Sequence, residues 1–468
     1  MVKPLFKTLL SSENFKAGGL YLFGNIFDKA IVFLTIPIFT RILSTSDYGI
    51  FHTYLSWVST LSLILGLSLN SSLRSAIFDF KDELEDYLSS IFFLSLLNFI
   101  TTSSIIIIIS FLYFDKLDLT LVFLCLIQAY MSFVSITLNM KYMMTLDYIK
   151  RTMLMVIPNL IIVIMSILLI SQLNQEKYLG RIIPYVLISS IIGIFILAKS
   201  FLKTRKFYDK KYWNYALKYS TPLIFHGLCI NILALSDRTI LLYYKGASAT
   251  GIYSFIYSVS MISIVITSSI ESIWIPWFTK KMQIGDKKAI NKLVKLYIDI
   301  GLVTVIMVLL LGPEIITVMS PKEFWVGINL LQPILLSSFF IFIYSISVNL
   351  EYYYKSTKKI AYFTFIAALL NLVLNLIFIP KYGVYAAAYT TAISYFVTFS
   401  LHYKSGRYLD NELFPLNIFL KPLAIILSFT LISYFISDLL LARLLLMLMV
   451  IICFYFSNIN RLKRVINF

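Results

Sequence analysis

Twelve or more apolar stretches of 18 to 25 residues, each with few charges, succeed one another along this 468-residue chain. Each can cross a hydrocarbon core of roughly 30 Å as a helix, and in lipid only helices and closed barrels satisfy every backbone group. No stretch shows the alternation of a barrel strand, so the expected fold is all-α and polytopic. Composition agrees. Charged residues make up 13% of the chain, against about 25% in soluble globular proteins, and the mean hydropathy is +0.85. Spans are expected near 17–40, 48–72, 88–114, 119–140, 152–171, 180–200, 219–244, 249–278, 293–316, 325–350, 360–379, 383–402, 418–436 and 440–459, fourteen in all.

A formal charge of +17 would suit a nucleic-acid binder, but its distribution points elsewhere. With the N-terminus in the cytoplasm, 30 of the 40 basic residues fall on the inner side, 8 on the outer side, and Lys29 and Arg238 lie within spans. That asymmetry is the positive-inside rule kept through every turn, and it predicts both termini inside and no nucleic-acid partner. The first 19 residues lack an uninterrupted apolar core and a small-residue cleavage site, so the first span is expected to stay attached. Cys125, Cys229 and Cys453 all lie in apolar segments, which supports neither a disulfide framework nor a thiolate metal site. The basic run at 199–211 reads as a topology signal, and the acidic run at 79–86 as a solvated cytoplasmic loop.

Internal echoes suggest a duplicated bundle. Asp28-Lys29 matches Asp237-Arg238, Gly49-Ile50-Phe51 with Tyr54 matches Gly251-Ile252-Tyr253 with Tyr257, and Asn139 with Tyr142 matches Asn349 with Tyr352. The offsets are all close to 210 residues, and six spans lie within each. An even number of spans preserves orientation, so the halves are expected to be related about an axis along the membrane normal. The expected organisation is a six-helix lobe over 1–205, a second over 206–404, and an appended helix pair over 405–468.

Charges inside a span cost about 2.5–3.5 kcal/mol each on insertion scales, so they normally face a bundle interior or water and pair with one another. Asp28 and Lys29 lie at the centre of the first span, with Asn25 near the same helical face, and Asn231 lies two turns before Arg238. Two readings stay open: paired charges that lock helices together, or cations that meet an anionic ligand while the aspartates moderate them. Arg74 ends the second span and also fits a snorkelling interface residue. Glu271, inside the eighth span, is a candidate coupling carboxylate or a partner for Lys280 or Lys281. Tyr385 and Tyr389, with Tyr382, share one face of span twelve, and Asn371 and Asn375 one face of span eleven. These stripes suit either sugar contacts or helix-to-helix hydrogen bonds. There is no GxxxxGK[ST], no HExxH and no Cys/His cluster, so neither an ATPase domain, a metal site nor a cofactor is expected.

The segments GNIFDKAIVFLTIPIFTRILSTSDYGIF, YSTPLIFHGLCINILALSDRTILLYY and GIYSFIYSVS, with the fourteen-span layout, resemble the bacterial O-antigen and capsular polysaccharide-unit flippases. These belong to the multidrug/oligosaccharidyl-lipid/polysaccharide exporter superfamily. The resemblance covers nearly the whole chain and implies a non-enzymatic protein of the bacterial inner membrane, with two six-helix lobes around a cationic cavity. It implies an undecaprenyl-pyrophosphate-linked oligosaccharide as substrate, flipped outward by alternating access, with a polysaccharide polymerase and chain-length proteins as possible partners besides the bilayer.

Related flippases of lipid-linked peptidoglycan precursors hold pyrophosphate through basic residues on their first, second and eighth helices. Lys29 and Arg74 match on the first two. The eighth span here offers only Glu271, so Arg238 stands in for the third. The correspondence fails at the eighth span, and with Arg238 in its place Lys29, Arg238 and Arg74 are expected to hold the pyrophosphate and Asp28, Asp237 and Glu271 to couple ions. Sugar contacts fall to Asn25, Asn231, Tyr385, Tyr389, Asn371 and Asn375. Two rivals are a drug/cation antiporter of the same superfamily, which would use carboxylates, and a membrane polymerase or ligase, which would need a larger outward loop than any found here.

Overall fold

The computed structural model describes residues 30–31, 33–113 and 118–466, and the side chains of all of these but 113 and 460–466. Among the described residues every regular element is helical. In chain order the helices are α1 (Phe33–Ile42), α2 (Thr45–Leu65), α3 (Leu73–Asp79), α4 (Leu84–Tyr113), α5 (Leu119–Met144), α6 (Tyr148–Gln172) and α7 (Lys177–Thr204). They continue as α8 (Lys210–Gln283), α9 (Lys287–Met319), α10 (Leu331–Tyr353), α11 (Thr357–Leu409), α12 (Asn417–Phe435) and α13 (Leu440–Ile466).

Ten of the described helices are long and apolar enough to cross a membrane, or eleven if the bent pair α2 and α3 makes one span. Two of the ten cannot be single crossings. At 1.5 Å per residue, the 74 residues of α8 and the 53 of α11 would run about 110 Å and about 80 Å. Each turns at a glycine, Gly246 at φ 84° and ψ 175° and Gly383 at φ 63° and ψ −135°, a backbone region that is nearly closed to residues with a Cβ. Dividing both raises ten to twelve. The chain is therefore a multi-pass, all-α membrane protein. The first of the fourteen expected spans lies mostly outside the described residues.

By internal contacts the chain divides into two compact units, Met1–Asn231 and Ile232–Phe468. The sequence places the division at 205/206, just before α8; the contact division falls within α8.

In the first unit, α2 opens on a capping box, where the Ser44 hydroxyl accepts from the Asp47 N–H and the Asp47 carboxylate accepts from the Ser44 N–H. The chain breaks at Leu67 and Ser68, both at positive φ, and α3 leaves at 60°. A helix broken within a bilayer exposes carbonyls that water cannot reach. Asn98 of α4 meets them, its side-chain amide donating to Ile64 O and Leu65 O at 2.9 Å each. Gly66 is required at the bend because a Cβ there would come within 2.0 Å of the Phe133 ring. The acidic run at 79–86 is not merely solvated. Glu85 pairs with Lys141 and Lys203, Asp86 with Lys206, and Tyr212 donates to Glu83 at 2.6 Å. Much of the basic run at 199–211 therefore closes on this acidic run.

In the second unit, the turn at Gly383 folds α11 back on itself, so that Thr390 and Thr391 meet Asn375 and Asn371. The last helix is tied to α9. Arg443 of α13 forks onto Glu314 through Nη1 at 2.7 Å and Nη2, and Asn458 donates to Asp299 at 3.1 Å. Between α11 and α12, Asp410 holds Lys287 at 2.9 Å. Burial pushes the Asp410 carboxyl up, but the Lys287 ammonium, the Glu412 N–H and the Tyr354 hydroxyl outweigh it, and its pKa lies below the usual aspartate range. This clamp is at full strength above that range and weakens as pH falls through the lowered value.

Candidate functional site

Gly246 builds the best-defined polar site of the second unit. By reversing α8 it returns Tyr253 to Asp237, sixteen residues earlier, and the Tyr253 hydroxyl donates to Asp237 Oδ2. Asp237 Oδ1 accepts from the Arg238 N–H at 2.8 Å and from Arg238 Nη1 at 3.4 Å. Arg238 Nη1 also donates to Ala234 O at 3.0 Å, and the guanidinium carbon stands 4.6 Å from the centre of the Tyr257 ring. Asp237 is 2% exposed and Arg238 5%. Two desolvated charges are held together here by one long ion pair, three shorter hydrogen bonds and an aromatic face. Among the described residues the Arg238 side chain donates only through Nη1, which leaves Nε and Nη2 uncommitted.

A hydrogen-bonded seam begins one residue away. Ser236 donates to Asn371 Oδ1 at 3.4 Å, Asn375 donates to the same oxygen at 2.9 Å, and Asn371 donates to Thr391 at 3.4 Å. Both asparagines are fully buried; Asn371 reaches Ser236 and Thr391, while Asn375 donates to Asn371 one turn away and accepts from Thr390. This is the helix-bonding alternative left open for that stripe.

Asn25, Asp28 and Lys29 fall outside the described residues. Arg74 is exposed on α3, just beyond the bend. Glu271 accepts from Asn349 at 3.3 Å and pairs with neither Lys280 nor Lys281; Lys281 instead holds Asp286 at 3.0 Å. In the first unit, Asn231 donates to Ser59 at 3.2 Å. Tyr385 and Tyr389 are more than two-fifths exposed, and the Tyr389 hydroxyl bonds that of Tyr434 at 2.8 Å. No three His, Cys, Asp or Glu side chains among the described residues gather as a metal site requires.

Two buried ionic sites escaped the sequence reading. In the second unit, His402 Nδ1 and Glu351 Oε2 lie 2.6 Å apart, with 1% and 0% of the residues exposed. Both fall at the edges of expected spans, and α10 and α11 run several residues past those edges. In the first unit, Arg181 was counted only among the outer positive charges. Its guanidinium lies 3.3 Å from the Phe39 ring centre and 4.7 Å from that of Phe51, and among the described residues Nε and Nη1 have no hydrogen-bond partner. No local sequence signal marks it, because its surroundings come from three separate helices.

The profile of a family described as "Polysaccharide biosynthesis protein" matches residues 15–282. A capsular polysaccharide biosynthesis protein, CapF of Staphylococcus aureus, is 24% identical over 412 residues, which span 82% of this chain and 97% of that protein. Among solved structures, the lipid II flippase MurJ in an inward closed conformation superposes with a TM-score of 0.71 at 17% identity, covering 95% of this chain and 99% of that one. An outward-facing multidrug resistance transporter of the MATE family, in the MOP superfamily, gives 0.56 at 14% identity over 86% and 98%. At these identities the structural likeness establishes a shared fold.

Proposed function

We propose that this chain, which belongs to the polysaccharide biosynthesis protein family, flips a lipid-linked oligosaccharide unit from the cytoplasmic to the outer leaflet of the bacterial cytoplasmic membrane, both of its termini being cytoplasmic. The cargo is an undecaprenyl-pyrophosphate-linked repeat unit destined for a surface polysaccharide. The similarity to a capsular biosynthesis protein over nearly that protein's full length favours capsule over O-antigen. The observation that carries the reading is Arg238, a buried cation within an apolar span with two nitrogens uncommitted among the described residues.

A pyrophosphate offers planar-spaced oxygens that a guanidinium meets through paired hydrogen bonds, each strengthened by charge and by low dielectric. In this reading Asp237 fixes the guanidinium without filling it, and Lys29 and Arg74 supply further positive charge. Asn231, Tyr385 and Tyr389 are polar enough, and exposed enough, to meet sugar hydroxyls and ring faces. Asn371 and Asn375 serve the site indirectly, as the seam that holds the turn of α11. Alternating exposure of the site to the two leaflets completes the cycle, biased by membrane potential or by ions at Asp28, Asp237 or Glu271.

Replacing Lys29 or Arg238 singly with Gln tests the assignment. A charge-assisted hydrogen bond is worth about 1.5–3 kcal/mol, so export of surface polysaccharide should fall about tenfold or more at unchanged protein level. Lipid-linked oligosaccharide should accumulate on the cytoplasmic leaflet. Undiminished export in both variants would remove the cationic site from the mechanism.

A further inference from the structure

We propose that Glu351 and His402 form a proton-binding site whose occupancy gates transport. The proposal rests on the flippase reading for its consequence, though not for the site itself. The two side chains come from different helices, α10 and the second half of α11, and meet at 2.6 Å with essentially no exposure. Among the described residues Glu351 Oε1 has no hydrogen-bond partner. The surroundings add no compensating charge. Tyr344 of α10 stacks on the imidazole at 5.7 Å, Phe363 of the first half of α11 meets it edge-on at 5.4 Å, and Tyr395 of α11 stacks on Tyr344 at 6.3 Å. The ionic cluster just past the end of α11, Lys287 with Asp410 and Glu412, is closed on itself. Among the described residues, neither group has a lysine, an arginine or a second carboxylate as a hydrogen-bond or ion-pair partner.

Proton counting then links burial to occupancy. Without the exchangeable proton the pair is a carboxylate accepting from the imidazole Nδ1–H, and it carries a net charge of minus one. A proton taken from water onto the imidazole Nε2, or onto the unpartnered Glu351 Oε1, makes the pair neutral and leaves the Nδ1···Oε2 hydrogen bond in place. A net charge in a dry interior is strongly unfavourable, whereas a neutral hydrogen-bonded pair is tolerated. The buried arrangement is therefore the loaded one. Unloading favours a conformation in which water reaches the pair, so whichever side supplies the proton biases the conformational equilibrium. The other acidic candidates are less suited to this role, since Asp237 is held by Tyr253 and Arg238, and Glu271 accepts from the Asn349 amide.

The test uses the full chain reconstituted in liposomes that contain a polyprenyl-pyrophosphate-linked disaccharide with a fluorophore on its sugar. Flipping is read by an impermeant quencher, with and without an imposed pH gradient. The wild-type rate should change several-fold with the gradient. E351Q, which keeps a hydrogen bond to His402 but removes the carboxylate that would neutralise a protonated imidazole, should flip at the gradient-free rate under both conditions. Infrared titration of the purified proteins should show a carboxyl or imidazole band that is present in the wild type and absent from both E351Q and H402Q. A wild-type response retained in E351Q overturns the proposal. So does a wild type that flips indifferently to the gradient, or the absence of any titrating band belonging to the pair. A lock between helices, by contrast, would leave E351Q normal and disable only E351A. If no protein flips the probe, the flippase reading fails, while the infrared titration still decides whether the pair binds a proton.

Discussion

Among the described residues the first unit buries Arg181 and the second buries Arg238 along with Arg443, and Arg181 and Arg238 are stabilised in opposite ways. Arg238 has a carboxylate beside it in sequence, a carbonyl one turn back and an aromatic face. Arg181 has aromatic faces and two orphaned nitrogens. The internal repeat makes the contrast sharper, because Phe51 occupies the position of Tyr253. In the second unit that position carries a hydroxyl, which donates to Asp237. In the first it carries a bare ring, which stands 4.7 Å from the Arg181 guanidinium.

The largest test of the contrast is Asp237→Ala. It strands Arg238 without a counter-charge, and breaking one partner of a buried pair costs about 3–5 kcal/mol. The unfolding midpoint of the purified protein in detergent, followed by tryptophan fluorescence, should drop accordingly. The double variant D237A/R238M should recover most of the loss, since it removes the stranded charge as well. A single variant within about 0.5 kcal/mol of the wild type would mean that Arg238 draws its stability from Ala234 O and the Tyr257 face alone.

A smaller loss is expected from Tyr253→Phe, which recreates the first unit's repeat residue in the second. It deletes one hydrogen bond to a charged group, worth about 1.5–3 kcal/mol. The same substitution made in a D237A background should cost almost nothing, because the coupling between contacting residues disappears with either partner. Equal costs in both backgrounds would place the role of Tyr253 in packing and not in holding the carboxylate.

These residues differ in how far the sequence foretells them, for physical reasons. Asp237 and Arg238 stand out because a charge pair inside an apolar run is conspicuous whatever the fold. The short breaks near 246 and 383 are also legible, as the gaps between successive expected spans. The connection that Gly246 makes from Tyr253 to Asp237 is not, because it depends on the angle at which the two halves of α8 return. Glu351 and His402 lie where apolar content fades toward the helix ends, so a hydropathy boundary misplaced by a few residues assigns them to loops. Asn98 carries no signal at all. Its purpose, sealing two carbonyls of a neighbouring broken helix, exists only once α2 and α4 are packed.

Arg181→Met gives the smallest effect and the one whose sign is most informative. Losing the aromatic contacts costs about 2 kcal/mol for a desolvated cation. Against this, the substitution removes a buried charge whose desolvation costs several kcal/mol, together with two orphaned donors at about 1–3 kcal/mol each. A thioether of similar length keeps much of the packing against Phe39 and Phe51. The balance favours the variant, and its unfolding midpoint should rise by an amount corresponding to about 1 kcal/mol, whereas Arg238→Met, which leaves Asp237 buried without its cation, should lower it. A fall in both would show that ring faces alone can carry a buried guanidinium as well as a carboxylate does, and the two units would then differ in geometry but not in energetic kind.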